Sequence, residues 1–326
     1  MKVVMTSAKL PLEMTDRAPL LDAGIELQVI DGLDRQTLIA ATRDADALLV
    51  LAEQIDAEVI GQLERCRSIT RFGVGVDTVD LDAAAAQGIW VTNVPDANYR
   101  EVAVHAIAMA LALSRRLPAL DRGIRLEGWA PSVAAGVHRA DSQVFGLIGL
   151  GRIGRRTAEM ARAVGYRVIA YDPAASAVDA AEIGAELLPM DDVIIQSNVL
   201  SLHVPLTEAT RGMLDAAALA RMPEGAILIN VSRGGLIDEK ALADALVTGH
   251  LFGAGLDAFE NEPLEVGSAL RDLDSVLLSP HAGHWSEESW AETKQKAIDD
   301  VVRVLSGKEP RYAVNSPVSV SFRAAF

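Results

Sequence analysis

The stretch that decides the fold runs from Val144 to Gly154 and reads Val-Phe-Gly-Leu-Ile-Gly-Leu-Gly-Arg-Ile-Gly. An apolar strand over Val144–Gly149 leads directly into glycines spaced G-x-G-x-x-G, and a helical run over Arg155–Val164 follows. A second apolar strand, Arg167–Tyr171, ends immediately before the acid Asp172. A strand, glycine turn, helix, strand and acid in this order predict a βαβ unit with a ligand-binding turn.

The three glycines and the acid point to one class of ligand. Gly149 permits the tight turn, Gly151 lets the backbone approach a pyrophosphate, and Gly154 lets the helix pack closely on the strand. The helix N-terminus offers free N–H groups and the positive end of a dipole to phosphates, and Arg152 and Ile153 beside it are candidate cofactor-binding residues. Asp172 is placed to bind the adenosine ribose hydroxyls and to repel a 2′-phosphate. The sequence therefore favours NAD over NADP.

The bulk composition excludes several classes of partner. The formal net charge of −15 argues against nucleic acids and anionic membranes. The longest apolar run, Val102–Leu113, is interrupted by His105 and is too short to span a bilayer. Cys66 is the single cysteine, so no intrachain disulfide can form. We expect a cytoplasmic protein without a metal site, in which an anionic substrate is held by a local positive group.

The rest of the chain predicts two α/β domains, each with a doubly wound parallel sheet, because strand-like and helix-like segments alternate throughout. The first series of predicted strands is Lys2–Thr6, Ile25–Ile30, Ala47–Leu51, Ser68–Phe72 and Trp90–Val94. The second series is Val144–Gly149, Arg167–Tyr171, Asn198–His203, Ala226–Val231, Gly253–Asp257 and Ser275–Ser279.

Helical patterns separate the strands. Early examples are Arg35–Arg43 and Asp56–Arg65. One long helix is predicted over Asp96–Leu117, with Asp96 as its cap and Pro118 as its stop. An irregular stretch, Asp121–Gln143, is expected after it, and the pattern of Glu287–Leu305 predicts a closing helix with charged and apolar faces.

Three later stretches are polar where a plain core strand would stay apolar. They are Asn230–Asp238, Asp257–Pro263 and Ser279–Gly283, and each follows the carboxyl end of a predicted strand. Open α/β sheets bind their ligands at that edge. These stretches therefore carry the candidate chemical groups.

These stretches closely resemble the D-isomer-specific 2-hydroxyacid dehydrogenase family. Further matches in the family's order are Gly73–Asp77, the R-x-x-x-x-x-G-W loop Arg122–Trp129, and Leu202–Thr207. The resemblance implies an NAD-dependent oxidoreductase that interconverts a small 2-oxo acid and the D-2-hydroxy acid. It also implies a flavodoxin-like substrate-binding domain, 1–98 plus 286–326, with a Rossmann NAD-binding domain, 99–285, inserted in it, and a homodimer.

The resemblance assigns three catalytic residues, and each assignment is physically sensible. Arg233 would bind the substrate carboxylate with its planar, permanently charged fork and polarise the carbonyl. His281 would donate the proton to the carbonyl oxygen and act as the base in the reverse direction. Glu262 would pair with His281, since a neighbouring carboxylate favours the charged imidazolium.

Other site residues follow from the same resemblance. The backbone at Val74 and Gly75 would hold the substrate carboxylate, and Asp257 would contact the nicotinamide amide. The remaining cofactor-lining positions are Val102, His203, Pro205, Thr207, Val231 and Ser232. For Val102 a second interpretation stays open, because helical spacing alone would also make it a core residue.

Some features leave alternatives open. The run Ser279–Ala282, with Ser286–Glu287 beyond it, resembles the branch that includes C-terminal-binding-protein corepressors. An NAD(H)-binding regulatory protein of the same fold, without significant turnover, is therefore the alternative function. His284 and Trp285 could shape the substrate pocket or cap the last helix. The substrate stays open, with Arg71 and Lys9 as basic candidates for a phosphorylated one.

Overall fold

The computed structural model describes residues 1–31, 34–129 and 131–317. By its internal contacts the chain divides into two compact units. The first contains Met1–Asn98 and the segment that begins at Ser286, and the second is Tyr99–Trp285. The predicted end of the substrate-binding domain, 318–326, lies outside the described residues.

The first unit contains a parallel sheet of five strands in the order β2-β1-β3-β4-β5, which is the flavodoxin-like order. Its strands are β1 (Lys2–Met5), β2 (Glu26–Val29), β3 (Ala47–Val50), β4 (Ser68–Arg71) and β5 (Trp90–Thr92). Its helices are α1 (Met14–Asp22), α2 (Arg35–Thr42), α3 (Ala57–Gly61), α4 (Leu81–Ala86) and the late α12 (Glu287–Leu305).

The second unit begins with two helices, α5 (Tyr99–Ser114) and α6 (Leu117–Glu127), before its seven-stranded parallel sheet. The strands are β6 (Val144–Ile148), β7 (Arg167–Tyr171), β8 (Ala185–Leu187), β9 (Val199–Leu202), β10 (Ala226–Asn230), β11 (Leu251–Leu256) and β12 (Val276–Leu278). The other helices are α7 (Arg152–Val164), α8 (Ala177–Glu182), α9 (Met190–Gln196), α10 (Ala216–Arg221) and α11 (Glu239–Val247).

The seven strands lie in the order β12-β11-β10-β9-β6-β7-β8. The chain therefore runs outward from β6 to β7 and β8, then returns to place β9 on the other side of β6. This reversal is the topological switch point at which Rossmann-type sheets bind ligands beyond the carboxyl ends of their strands. The prediction of an α/β chain with two parallel sheets is confirmed.

Burial explains why the strands could be predicted from the sequence. β3 and β10 are buried along their whole length, as expected for strands that have helices on both faces. In β6, Phe145 and Leu147 join the core cluster that includes α5, whereas Ile148 joins the cluster on the opposite face. Several helices start at an aspartate whose carboxylate accepts first-turn N–H groups, at Asp34, Asp56, Asp80, Asp215 and Asp238.

The helix predicted over Asp96–Leu117 is present, but it is shorter than predicted and covers Tyr99–Ser114. The structure has Tyr99–Ser114 and Leu117–Glu127 as separate helices, because Arg116 between them adopts a left-handed conformation with φ of 54°. Pro118 stands in the first turn of the second helix, where an N–H would lack a helical acceptor in any case. The proline therefore belongs to a helix start and does not end the first helix.

Three smaller expectations also need correction. Asp96 lies before the start of α5 and its carboxylate pairs with Nζ of Lys296 at 2.7 Å, so it is not the helix cap. The predicted irregular stretch Asp121–Gln143 begins inside α6. The edge strand β8 was missed because three residues give too short a pattern to read.

The described helices were also compared with the length and apolar character needed to cross a membrane. No single helix among them meets both requirements. Among the helices that the structure describes, one pair, Tyr99–Ser114 with Leu117–Leu126, passes by length and composition when taken together, and that pair is bent by 55°.

Candidate active site

The glycine turn connects β6 to α7 at the switch point. Gly149 has φ of +104°, which favours glycine, and a Cβ there would lie 2.5 Å from the carbonyl oxygen of His203. A Cβ at Gly154 would lie 2.0 Å from the carbonyl oxygen of Gly149. These two glycines therefore allow strand, turn and helix to pack against one another. A Cβ at Gly151 would meet no heavy atom within 4 Å, so the space beside it is open.

The turn also fits the chemistry of a dinucleotide. Helix α7 begins after Gly151, which has no side chain to cap the first-turn N–H groups. Asp172 follows β7, and its carboxylate accepts the N–H of Leu150 at 2.7 Å and that of Ala174 at 2.8 Å. Each oxygen still has acceptor capacity for a ribose hydroxyl. The residues present therefore fit a bound NAD, with N–H groups for phosphate and an acid for ribose.

His203 follows β9 on the other side of the switch point. Its Nε2 lies 2.9 Å from Oγ of Ser201, whereas its Nδ1 is shielded from solvent and has no partner among the described residues. Burial lowers the pKa of His203 to about 3. The ring is therefore neutral at physiological pH and acts as a hydrogen-bonding group, not as a charge.

The loop after β10 is held by its own polar groups. Asn230 accepts the N–H of Ser232 at 3.0 Å and donates to the carbonyl of Arg233 at 2.8 Å. Oγ of Ser232 donates to the carbonyl of Leu202 at 2.8 Å, which joins this loop to the end of β9. Nη1 of Arg233 donates to the carbonyl of Ser232 at 2.8 Å. The half-buried guanidinium therefore projects from a fixed backbone.

Two loops meet next to Arg233. A Cβ at Gly234 would lie 1.8 Å from the carbonyl carbon of Phe259 and 2.1 Å from the nitrogen of Glu260. The loop after β10 thus packs directly on the segment that precedes Glu262. The positive charge of Arg233 also contributes to the lowered pKa of Glu262, as expected for neighbouring groups. The structure therefore brings these two sequence-predicted residues together.

Glu262 and His281 form a close pair. Nδ1 of His281 lies 2.8 Å from Oε2 and 3.0 Å from Oε1 of Glu262, and Oε1 also accepts the N–H of Phe259 at 3.1 Å. Burial alone would raise the pKa of Glu262. The hydrogen bond and charge of His281, together with the Phe259 N–H and Arg233, outweigh burial and hold that pKa below its ordinary value.

The turn that carries His281 is fixed by Asp257. This buried carboxylate follows β11 and accepts the N–H of Ala282 through Oδ1 and that of Gly283 through Oδ2, both at 2.8 Å. His281 itself has φ of 55°, a conformation that non-glycine residues rarely adopt and that needs support from its surroundings. Asp257 supplies that support from within the protein.

The other predicted cofactor positions lie around the same switch point or next to it. Pro205 and Thr207 are exposed in the loop after β9, where Thr210 Oγ1 donates to the carbonyl of Pro205 at 2.7 Å. Arg152 is exposed and Ile153 is half-buried at the start of α7. Val231 and Val102 are buried in one core cluster, which agrees with the second interpretation of Val102.

Val74 and Gly75 belong to the first compact unit, just after β4. The carbonyl of Val74 accepts a hydrogen bond from Nδ2 of Asn93 at 2.6 Å, and the N–H of Val94 donates to the carbonyl of Gly73 at 2.9 Å. This loop is therefore tied to the end of β5. The role of Val74 and Gly75 in binding substrate stays a prediction.

Sequence reasoning missed one residue beside this turn. His105 on α5 places Nε2 3.6 Å from Oδ1 of Asp257. A signal was available, because His105 interrupts the apolar run Val102–Leu113 with an ionisable side chain. The residue was read only as a break in that run. Its partner follows a strand that lies far along the chain, so no local pattern connects the two.

Within residues 1–31, 34–129 and 131–317, no cluster of three or more His, Cys, Asp or Glu side chains could hold a metal ion. The polar groups described around the switch point include N–H donors, the carboxylates of Asp172 and Glu262, the guanidinium of Arg233, and the imidazoles of His203 and His281.

Comparisons with known proteins agree with this geometry. Residues 107–283 match the family described as D-isomer specific 2-hydroxyacid dehydrogenase, NAD binding domain. The D-3-phosphoglycerate dehydrogenase of Mycobacterium tuberculosis (strain ATCC 25618 / H37Rv) is 42% identical over 292 residues, which cover 89% of this chain and 55% of that protein. The chain thus spans about half the length of this relative.

Two further proteins match over most of their own length. The glyoxylate reductase of Korarchaeum cryptofilum (strain OPF8) is 36% identical over 290 residues, covering 87% of each chain. The crystal structure of D-lactate dehydrogenase from Aquifex aeolicus, complexed with NAD and lactic acid, superposes with a TM-score of 0.84 at 27% identity. That similarity covers 94% of this chain and 96% of the other.

The matched family segment contains the glycine turn, Asp172, Arg233, Glu262 and His281, and it spans more than half of the chain. NAD is accordingly the cofactor of the second unit. With the two parallel sheets and the similarity to full-length relatives, the conclusion is that the chain belongs to the D-isomer-specific 2-hydroxyacid dehydrogenase family.

Proposed function

We propose that the protein interconverts a small 2-oxo acid and the corresponding D-2-hydroxy acid by hydride transfer with NAD. The observation that carries this proposal is the Glu262–His281 pair, which lies on loops packed against the loop of Arg233. A proton donor with a carboxylate partner and a neighbouring guanidinium are the groups that reduction of a 2-oxo acid requires.

Arg233 binds the substrate in this mechanism. Its planar fork matches a carboxylate and keeps its charge at every working pH. It also draws electron density from the carbonyl oxygen, so that the negative charge that develops there is stabilised. The hydrogen bond from Nη1 to the carbonyl of Ser232 restricts the orientation of the guanidinium.

His281 transfers the proton. An ionised Glu262 can only accept, so Nδ1 of the ring is the donor in this pair and Nε2 is left for the substrate. In the reductive direction, NADH supplies the hydride to the carbonyl carbon when bound. Nε2 of the imidazolium gives its proton to the carbonyl oxygen, and the neutral ring takes a proton back from the hydroxyl in the oxidative direction.

The second unit would orient the cofactor, and the role of each residue in this binding is a proposal. Gly149, Gly151, Arg152, Ile153 and Gly154 would approach the pyrophosphate, and Asp172 the ribose. The positions proposed to line the rest of the bound cofactor are Val102, His203, Pro205, Thr207, Val231, Ser232 and Asp257. Of these, Asp257 uses both oxygens on backbone N–H groups, which supports a role in shaping the turn as well.

The substrate proposed for first testing is 3-phosphoglycerate with its 2-oxo counterpart. Several similar proteins are named D-3-phosphoglycerate dehydrogenase. In the first unit, Nη1 of Arg71 lies 2.6 Å from the position of a Cβ at Gly73, so a cation adjoins the loop that includes Val74 and Gly75. Lys9 is an exposed second basic candidate. Glyoxylate, hydroxypyruvate and a branched oxo acid are the non-phosphorylated comparisons.

The decisive experiment follows NADH absorbance with this panel of oxo acids for the wild type, Arg233→Ala and His281→Ala. We expect turnover of at least one oxo acid by the wild type. Each variant should lose at least about 100-fold in kcat, the size of effect seen when one transition-state contact is removed. Near-normal rates in both variants would refute the assignment. Tight NADH binding without turnover of any oxo acid would favour the corepressor-like alternative.

We propose a cytoplasmic homodimer as the working form. Helix α6 and the residues after it expose apolar side chains, namely Leu117, Ile124, Leu126 and Trp129, with exposed fractions from 55% to 86%. Exposed apolar groups so close together in the chain favour a protein–protein contact. Light scattering of the wild type and of Ile124→Glu tests this, because a charge at the contact should shift the mass from dimer to monomer.

A further inference from the structure

His105 occupies an unusual position for an ionisable residue. It lies on α5 next to the buried Ala106, and its side chain is 29% exposed. Its Nε2 nevertheless has no contact with solvent and no hydrogen-bond partner among the described residues. A shielded ring nitrogen without a hydrogen-bond partner is energetically unfavourable. The polar atom that faces it is therefore its candidate partner.

That atom is Oδ1 of Asp257, 3.6 Å from Nε2. The distance exceeds that of a formed hydrogen bond, but the two groups face each other in a buried environment. The same ring also lies against the turn that carries His281. A Cβ at Gly283 would be 3.2 Å from Cδ2 of His105 and 2.7 Å from Oδ2 of Asp257. The glycine thus lets the ring and the carboxylate lie against the turn together.

Asp257 transmits this contact to His281. Its oxygens accept the N–H groups of the two residues that follow His281, and His281 holds a left-handed φ of 55°. A carboxylate that rotates or withdraws would release both N–H groups and the conformation they support. The orientation of the imidazole towards Glu262 depends on that backbone.

We propose that His105 is a positioning residue, which donates a hydrogen bond from Nε2 to Asp257 and so holds the turn that orients His281 for proton transfer. This inference rests on the proposed function for its catalytic consequence. Its structural part, the contact of His105 with Asp257 and of Asp257 with the turn, depends only on distances within the second unit.

The test compares His105→Gln with His105→Asn. The Gln amide nitrogen reaches about as far as Nε2 and can donate to Asp257, whereas the Asn amide ends near the position of Nδ1. Both side chains are polar and neutral, so they form a matched pair that differs in reach. Val104→Ala, an exposed neighbour on the same helix, is the control. The measurements are kcat, KM for the oxo acid, Kd for NADH, and hydrogen–deuterium exchange over 279–285.

We expect His105→Asn to lower kcat about 10- to 100-fold, the loss typical of a misplaced reacting group. KM and the NADH Kd should stay within about threefold, and His105→Gln should recover most of the rate. Exchange at Ala282 and Gly283 should accelerate in His105→Asn and stay near the wild-type rate in His105→Gln. A local loss of structure would instead affect NADH binding and both variants alike.

Equal kcat values for the two variants, or unchanged exchange in His105→Asn, would overturn the inference. If the wild type turns over no oxo acid, the proposed function fails, and the exchange comparison still decides whether His105 holds the turn. Should His105→Asn fail to fold, Asp257→Asn replaces it. Faster exchange at Ala282 and Gly283 in Asp257→Asn that is the same with and without His105→Ala supports the connection, and additive effects of the two substitutions contradict it.

Discussion

Nδ1 of His281 lies 2.8 Å from Oε2 and 3.0 Å from Oε1 of Glu262. This ring nitrogen is therefore hydrogen-bonded within the protein. The carboxylate orients the ring by accepting the hydrogen of Nδ1. The other nitrogen is thereby left as the group that can exchange a proton with a substrate. Four predictions test how this pair and the nearby cofactor turn operate.

The first prediction contrasts Gly151→Ala with Gly154→Ala. A Cβ at Gly151 meets open space, so that variant should keep the wild-type Tm but bind NADH at least about tenfold more weakly, because the methyl group occupies the approach of the pyrophosphate. A Cβ at Gly154 collides with the carbonyl of Gly149, so that variant should lose about 1–3 kcal/mol of stability or more. Calorimetry and NADH titration measure both. Equal stability of the two variants would contradict the packing argument.

The second prediction concerns Asp172→Ala. The variant should bind NADH about tenfold more weakly, through loss of a charge-assisted hydrogen bond, and NADPH more tightly than the wild type. The N–H groups of Leu150 and Ala174 also lose their acceptor, so a small decrease in Tm should accompany the change. Fluorescence titration with both cofactors is the measurement, with Glu182→Ala, an exposed acid on α8, as the control. An unchanged preference for NADH would refute the role of Asp172.

The third prediction follows from the lowered pKa of Glu262. Because the folded pKa lies below the ordinary value of 4.5, the ionised carboxylate stabilises the fold above that value. This contribution should disappear as the pH falls through the lowered pKa. Glu262→Gln should therefore be less stable than the wild type at neutral pH, by less than about 1 kcal/mol because the side chain is 37% exposed. The difference should shrink in acid.

Urea unfolding across this pH range measures the difference in the free energy of unfolding. Glu26→Gln, at an exposed position on β2, controls for the loss of one negative charge. A stability difference between the wild type and Glu262→Gln that grows on acidification would have the wrong sign and would refute the assignment.

The fourth prediction concerns His203, whose pKa burial lowers to about 3. The unfolded chain takes up a proton near the ordinary value of 6.5, whereas the folded chain does not until far lower pH. The wild type should therefore lose stability as the pH falls below 6.5, by at most about 2 kcal/mol at about pH 5. His203→Asn cannot protonate, so its stability should decline less steeply. If the stability of the wild type and that of His203→Asn declined equally as the pH falls, the ring of His203 would be accessible to solvent.

The strands and the cofactor turn were predictable because their causes are local. Runs of Val, Ile and Leu buried on both faces identified the parallel strands, and β7 and α12 agree with the predicted bounds residue for residue. The glycine spacing of Gly149, Gly151 and Gly154 follows from contacts within one βαβ unit. Arg233, Glu262 and His281 came from an ordered resemblance, and the structure brings their loops together.

The features that escaped prediction depend on single backbone conformations or on distant partners. The left-handed Arg116 separates α5 from α6, although arginine is a good helix former and the sequence marks a helix end only at Pro118, two residues later. The short strand β8 exists because it pairs with β7 at the sheet edge. His105 meets Asp257 only after α5 has packed against the sheet. Such outcomes are set by tertiary contacts that a local pattern does not contain.

The division of the first unit into two chain segments has a consequence for folding during synthesis. Its core cluster combines Val3, Met5 and Leu49 with Ile298 and Val301 of α12. Ribosomes require about 10–40 s to make the intervening Tyr99–Trp285. During that interval the nascent first sheet lacks the helix that completes its core, whereas the second unit is continuous in sequence and has all its strands as soon as Trp285 is made. The amino-terminal segment is thus the part of the nascent chain that chaperones would have most time to engage.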